Sequence, residues 1–401
     1  MYDKIIAKAI LGGLCSMKIL IKNGRLVSPF DAGERACDIL IENGKIAEIA
    51  EKISAKCDKE IDAEGNYIMP GLVDIHTHGC IGMVYTRDSL DDMLAFCAGQ
   101  GVATVFPTVA SLPKESMLSA IDHILEGVKA GTVGAAVGGI HLEGPFISEK
   151  KKGAMTVPDI PCTVESFNEL TERGQGLIRI MTIAPEREGA LDIIKEGSKR
   201  GVRMSIGHTD ADYATVISAI EAGAVGSTHT FNAMSSLSHR EPGAVGAVLT
   251  EDAVSCEVIC DMVHLAPATV KLIKRSKGIE GMIMISDSDR ITGLGEGEHI
   301  FGNTVLTVKD GVCRNKFGTI ASSCFTMADG ARMLCRIGFS LSEIARVGSY
   351  NPALATGLDG EVGSIEVGKR ADIIITDSRM NVKRVLVRGE EAALSIPATK
   401  N

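Results

Sequence analysis

From Met17 onward the apolar positions fall into two rhythms. As far as about Tyr67 they come as short alternating runs, "KILIKNGRLV", "ACDILIENGKIAEIA" and "KEIDAEGNYIMP", each turning at Asn-Gly or Glu-Gly. That pattern predicts strands joined by tight turns. After Pro70, near-continuous apolar runs alternate with helical-period stretches such as "SLDDMLAFCAGQG" and "ADYATVISAIEAG". Eight runs can be read in order: "LVDIHTH", "VATVFPT", "AVGGIHLE", "IRIMTIA", "VRMSIGH", "VGSTHTF", "VSCEVICD" and "MIMISD". Strands that are apolar on both sides must be covered on both faces. Eight of them separated by helices therefore predict an α/β fold with a parallel sheet closed into a (β/α)8 TIM barrel.

Beyond the eighth run the chain has more strand-like text, helical text near residues 323–336 and 340–346, and then "GSIEVGKRADIIITD" and "NVKRVLVRGE" in strand rhythm again. Two strand-rich ends flanking one barrel predict a small β-sandwich domain built from both termini, residues 17–69 and 361–401, beside a barrel domain at 70–360. Residues 1–16 read as an N-terminal extension. Their apolar run is too short to span a membrane, and Leu14 stands before Cys15 where a lipoprotein-type cleavage site needs a small residue.

Composition narrows the partners. The 401 residues are 45% hydrophobic and 23% charged, an ordinary globular balance. With a net charge of -9 and no basic cluster larger than Lys150-Lys151-Lys152, nucleic acid and anionic membranes are excluded as expected partners. The eleven cysteines form no CxxC pair, and several, such as Cys256 and Cys260, sit inside apolar runs. They read as small buried hydrophobes in a reducing, cytoplasmic compartment.

The candidate chemistry lies at the ends of the runs. In the first, alternation places Val73 and Ile75 on one face and Asp74, His76 and His78 on the other. Two adjacent imidazoles suit a divalent transition metal, although a lone pair of this kind reads equally well as a polar strand end. Barrel enzymes place their catalytic groups at the C-terminal ends of the strands. The polar residues there are His76 and His78 on the first, Glu143 on the third, His208 on the fifth, His229 on the sixth and Asp287 on the eighth. Four histidines and two carboxylates on one rim predict a centre for one or two divalent ions, of Zn, Fe, Mn or Co, with Glu143 as the candidate bridge. A metal-activated water would be the nucleophile, and Asp287 would take its proton and pass it to the leaving group. His141 shares the face of Glu143 and reads as an orienting neighbour rather than a ligand. His123 is expected to face solvent, His239 and His299 to sit in loops, and "GLGEGE" to be a plain loop.

These residues lie in motifs that resemble a known family. "PGLVDIHTHG", "GGIHLEGPFISEKKKGA", "SIGHT", "THTFNAMSSLSHREPGAVGAVL" and "GSIEVGKRADIIITD" are similar to the amidohydrolase superfamily, and within it to the N-acetylglucosamine-6-phosphate deacetylase family. The resemblance runs over nearly the whole chain from Met17. It implies metal binding by Glu143, His208 and His229, a second ion at His76 and His78, and Asp287 as acid/base. Other branches of the superfamily carry a carbamylated lysine on the fourth strand. "IMTIAPE" has none, and Glu143 fills that role.

The implied substrate contacts are Ala154, Asn232, Ala233, Arg240, Asp261 and His264, with the phosphate near Arg240 and His264, where a guanidinium can grip two phosphate oxygens. The implied reaction is removal of the acetyl group from N-acetyl-D-glucosamine 6-phosphate to give D-glucosamine 6-phosphate and acetate, by a homodimer. Three further segments border the implied substrate site and depart from the family pattern. Met155 stands where many relatives have an acyl-contacting histidine, Asp289 and Arg290 follow Asp287 in "SDSDRITG", and an "AGS" segment becomes "ASS" at Ala321, Ser322 and Ser323. An alternative is the same chemistry on another N-acyl amino sugar or N-acyl amino acid. A catalytically silent scaffold is the reading from another class, against which the complete ligand set argues.

Overall fold

In the computed structural model residues 17–302, 304–318 and 320–394 are described; the expected extension at residues 1–16, with Cys15, lies outside them. The eight apolar runs form the strands Leu72–Thr77, Val102–Ala110, Ile140–Glu143, Ile178–Ile183, Arg203–Ile206, Gly226–Ser227, Ser255–Ile259 and Met282–Ile285. Each pairs in parallel with the next in chain order. The eighth returns to the first through a Thr77–Ser288 bridge. There the Asp287 amide donates to the His76 carbonyl at 3.0 Å, and the His78 amide to the Ser288 carbonyl at 2.7 Å. The expected barrel is therefore present and nearly closed.

A helix follows each strand, from Leu90–Gly99 after the first to Met327–Arg336 after the eighth. Several begin at side-chain caps: Ser89 accepts from the Asp92 amide, Asp212 from that of Thr215, and Thr326 pairs reciprocally with Asp329. Each cap satisfies amides that the helix cannot, for about 1 kcal/mol.

Val73, Ile75, Phe106, Ile180, Ile259, Ile283 and Ile285 share one buried cluster drawn from five barrel strands, which fills the barrel interior. Leu72, Val105, Leu142, Met181 and Met284 point the other way, into the larger cluster shared with the helices. Gly138 and Gly139 lie against the Phe106 ring, and a Cβ on Gly138 would come within 2.5 Å of it. Phe106→Ala is expected to destabilise the fold by about 3–5 kcal/mol, read as a lower denaturant midpoint at unchanged slope.

The first strand corrects the simple alternation. Its register against Val102–Ala110 slips between Asp74 and Thr77, a bulge that re-aims the chain at the rim. Ile75 joins the interior cluster while His76 still reaches Glu143 and Glu257. Asp74 does not share their face. It spans the seam to the eighth strand, accepting from Ser286 Oγ at 2.5 Å and from the Ser286 amide at 3.3 Å.

The two chain ends meet in one eight-stranded sheet. Ile373–Thr376 lies antiparallel to Tyr67–Pro70, which pairs with Lys18–Val27. One face buries Ile19, Ile21, Ile39, Ile41, Ile68 and Ile373, and Leu20, Leu40 and Ile53 form a smaller cluster on the other. The text after the eighth strand is a four-stranded antiparallel sheet, Gly297–Phe301, Thr304–Lys309, Val312–Asn315 and Ile320–Ser322.

Two histidine expectations change. His299 lies in the first of those four strands, not a loop. His123 is half-buried, with Nε2 2.8 Å from the Asp88 carbonyl, so it ties its helix to the loop that follows the first barrel strand. The ten described cysteines are free. No helix among the described residues is long and apolar enough to cross a membrane.

Candidate metal centre at the barrel rim

At the C-terminal ends of the strands the chain must leave the sheet while its last side chains turn back to the axis. His208, His229 and Asp287 do this with left-handed backbones, φ 47°, 28° and 47°. Such conformations cost on the order of 1 kcal/mol each in residues other than glycine, and they gather at functional sites.

The six rim groups converge. Glu143 Oε1 lies 3.0 Å from Nε2 of both His208 and His229, and 3.5 Å from His76 Nε2. Its other oxygen is 3.3 Å from His78 Nε2. Asp287 Oδ1 is 3.4 Å from His78 Nε2 and 3.6 Å from His76 Nε2. Glu143 therefore stands between the two histidine pairs. All of these groups are buried or nearly so.

Hydrogen bonds fix which ring atoms face inward. His208 Nδ1 lies 2.7 Å from the Lys151 carbonyl, which can only accept, so Nδ1 carries the proton and Nε2 presents its lone pair. That nitrogen sits 2.9 Å from His229 Nε2, an arrangement that asks for a shared proton or a cation. His76 Nδ1 lies 3.0 Å from Glu257 Oε2, and His76 Nε2 is buried without a hydrogen-bond partner.

The field has one sign. Burial by itself would lower the His78 pKa, but hydrogen bonds to Asp287 and then Glu143 push it up to about 10. Burial would also lower that of His76, yet Asp287 and Glu143 hold it well above its ordinary value. Burial would raise the Asp287 carboxyl, and His76, His78 and His229 outweigh this and hold it well below the usual carboxylate range. The carboxylates thus favour positive charge among the imidazoles. Nitrogen and oxygen donors, an unpartnered buried imidazole nitrogen and that field together fit a divalent ion. Among the described residues three donor groups, His76–His78–Glu143, Glu143–His208–His229 and, behind them, His76–His141–Glu257, each lie within 4.8 Å.

His141 behaves as a buttress. Burial and the nearby His76 push its pKa down to about 3, so the ring is neutral. Its Nδ1 is 3.1 Å from the Ile75 carbonyl and its Nε2 2.8 Å from Thr182 Oγ1. The ring meets that of His76 edge to face at 4.6 Å between centroids.

The other predicted residues spread around the rim. Asn232 donates to the His229 carbonyl at 3.1 Å, and Ala233 follows with φ 50°. Asp261 accepts from the Val263 and His264 amides, each at 2.9 Å, and lies 2.7 Å from His264 Nδ1. Burial would lower the His264 pKa, but Asp261 raises it. Ala154 is exposed, and Met155 Sδ is 3.4 Å from the Ser111 amide. Arg240 is exposed. Ala321 packs against the core of the four-stranded sheet, and Ser322 Oγ lies 3.8 Å from Cys313 Sγ. Arg290 stacks on Phe301, 5.4 Å from the ring centroid.

Two contributors were not read from the sequence. The Lys151 carbonyl leaves no side-chain signal. Glu257 does, as one charge inside the apolar run "VSCEVICD", but it lies mid-strand rather than at a strand end.

Residues 67–392 match the amidohydrolase family, and the chain belongs to that family. It is 35% identical over 365 residues to N-acetylglucosamine-6-phosphate deacetylase of Bacillus subtilis, covering 88% of this chain and 92% of that protein. It is 32% identical over 340 residues to N-acetylgalactosamine-6-phosphate deacetylase of Escherichia coli O157:H7, covering 83% and 89%. Among solved structures, N-acetylglucosamine-6-phosphate deacetylase from Pasteurella multocida superposes with a TM-score of 0.86 at 29% identity, over 93% of this chain and 99% of that one. A Mycobacterium smegmatis N-acetyl-D-glucosamine-6-phosphate deacetylase, solved as an aspartate-to-alanine mutant in complex with N-acetyl-D-glucosamine-6-phosphate, gives 0.83 at 30% identity, over 94% and 99%.

Proposed function

We propose that this protein removes the acetyl group from N-acetyl-D-glucosamine 6-phosphate, giving D-glucosamine 6-phosphate and acetate. The observation that carries the reading is the convergence of His76, His78, His208 and His229 on Glu143, with Asp287 beside them. One or two divalent ions, of Zn, Fe, Mn or Co, would be held by Glu143, His208 and His229 and by His76 and His78. When bound, the metal lowers the pKa of water and polarises the amide carbonyl.

The remaining steps belong to the chain. Asp287 Oδ1 takes the proton of the attacking water and returns it to the amine nitrogen, so that the leaving group departs neutral. Asp261 holds the His264 ring by Nδ1 and favours its charged form, leaving Nε2–H to donate to a phosphate oxygen. Arg240 supplies the second cation for that phosphate. Ala154, Met155, Asn232 and Ala233 border the sugar and its acyl group, with Ala321 and Ser322 on the far side. Arg240→Ala is expected to raise KM for the phosphosugar at least tenfold with kcat little changed. It should leave turnover of the unphosphorylated sugar where it was, and an unchanged KM would remove Arg240 from the phosphate site.

The assembly we put forward is a cytoplasmic homodimer, a reading supported by the free cysteines for the compartment and by the family resemblance for the dimer. Light scattering at twice the chain mass is the expected result.

A second reading is the same reaction on another N-acyl amino sugar. Met155 at the acyl side and the similarity to N-acetylgalactosamine-6-phosphate deacetylase favour it. The test is acetate release from N-acetylglucosamine 6-phosphate, N-acetylgalactosamine 6-phosphate and unphosphorylated N-acetylglucosamine, with metal content measured on the same sample. Preference for the first supports the proposal, and preference for the second moves it to the galactosamine series. Inactivity on all three with metal bound would overturn both.

A further inference from the structure

Glu257 lies in the middle of the seventh barrel strand and is fully buried. Removing a carboxylate from water costs several kcal/mol unless its oxygens find donors. Here Oε1 has no hydrogen-bond partner among the described residues, and the donors to Oε2 are parts of the candidate metal centre. Oε2 lies 3.0 Å from His76 Nδ1 and 3.3 Å from the His229 backbone nitrogen. The Glu257 carbonyl also accepts from the Thr230 amide at 2.9 Å.

We propose that Glu257 is a positioning residue that couples the two histidine sets, holding His76 in the tautomer that frees Nε2 for an ion and pinning the turn that aims His229. The inference rests on the metal-dependent reading above. An ionised carboxylate can only accept, so the proton between Glu257 and His76 belongs to Nδ1. In the neutral ring that would bind an ion, Nε2 is then the lone pair, 3.5 Å from Glu143 and 3.6 Å from Asp287. Without Glu257, the imidazole gains by moving its proton to Nε2, where both carboxylates would accept it. That tautomer cannot bind metal through Nε2. The His229 contact acts on the backbone, where φ is 28°, a conformation that relaxes unless its surroundings hold it. One oxygen thus serves a ligand of each donor group, as hydrogen-bonded carboxylates behind metal-binding histidines do generally.

The test uses metal-loaded full-length protein, dialysed against graded EDTA, with metal per chain measured by mass spectrometry and folding checked by circular dichroism. Wild type is compared with Glu257→Leu and Glu257→Gln. Leucine removes the acceptor, and retention should weaken by about 10–100-fold. Glutamine keeps an oxygen that can accept both hydrogen bonds but lacks the charge, so it should recover part of the loss while staying several-fold below wild type. A purely structural role would lower thermal stability in both variants without changing metal retention by the folded protein. Wild-type retention in folded Glu257→Leu overturns the inference. If that variant does not fold, Glu257→Gln decides: several-fold weaker retention supports the inference and unchanged retention overturns it. If wild type itself binds no metal, the metal-dependent reading falls and takes this inference with it, whereas metal-replete wild type with indistinguishable variants sinks this inference alone.

Discussion

Asp287→Asn is expected to lower kcat on N-acetylglucosamine 6-phosphate by roughly 10²–10⁴-fold, with KM within a few-fold of wild type and bound metal undiminished. Asparagine has nearly the same shape and can occupy the same rotamer, so the change removes the capacity to take a proton and little else. The position favours that role. Asp287 Oδ1 faces His76 and His78 from the eighth strand, and a left-handed backbone turns the side chain toward the axis. The neighbouring histidines hold its carboxyl well below the usual carboxylate range even though burial alone would raise it, so it is ionised and ready to accept. Loss of metal from the variant would instead make Asp287 a ligand. Retention of kcat within tenfold would move the acid/base role to another group.

Glu143→Ala should remove bound metal and reduce kcat/KM by roughly 10³-fold or more, because a metal supplies several kcal/mol of transition-state stabilisation. Glu143 is within 3.5 Å of all four histidines. Without it, His208 and His229 face each other at 2.9 Å with no carboxylate among the described residues within 4.0 Å of either Nε2, and no group is left to bridge the two sets. Glu143→Gln keeps the volume and one acceptor, so it should fold as well as wild type yet bind metal poorly. Metal analysis beside activity separates the cases. Full metal content with lost activity would make Glu143 a participant in the chemistry rather than a ligand, and unchanged activity would remove it from the centre.

The legibility of this centre depended on where each residue stands in its strand. His208, His229, Glu143 and Asp287 could be picked out because a barrel exposes its strand ends on one rim. His76 and His78 were found by alternation, and alternation misplaced Asp74. The bulge before Thr77 is one extra residue in a pairing with Val102–Ala110, and no local pattern announces it. Glu257 could be seen as a charge in an apolar run, but its purpose depends on the first and sixth strands lying next to its carboxylate. His123 reads as solvent-facing within its helical text, and it is half-buried, with the Asp88 carbonyl 2.8 Å from its ring.

The sequence by itself determined the class of fold and the identity of the rim. Both follow from local chemistry: apolar strand text repeated eight times has few ways to cover its two faces, and the polar residues that end five of the runs must lie where the strands end. Tertiary structure alone decided the contacts that make the rim a centre. The Glu143 oxygens stand between four rings, the His76 tautomer is set from the seventh strand, and the His208 tautomer is set by a carbonyl in the loop after the third. These are distances between residues remote in sequence, and they are fixed by strand register and the closing of the barrel rather than by any run of neighbouring residues.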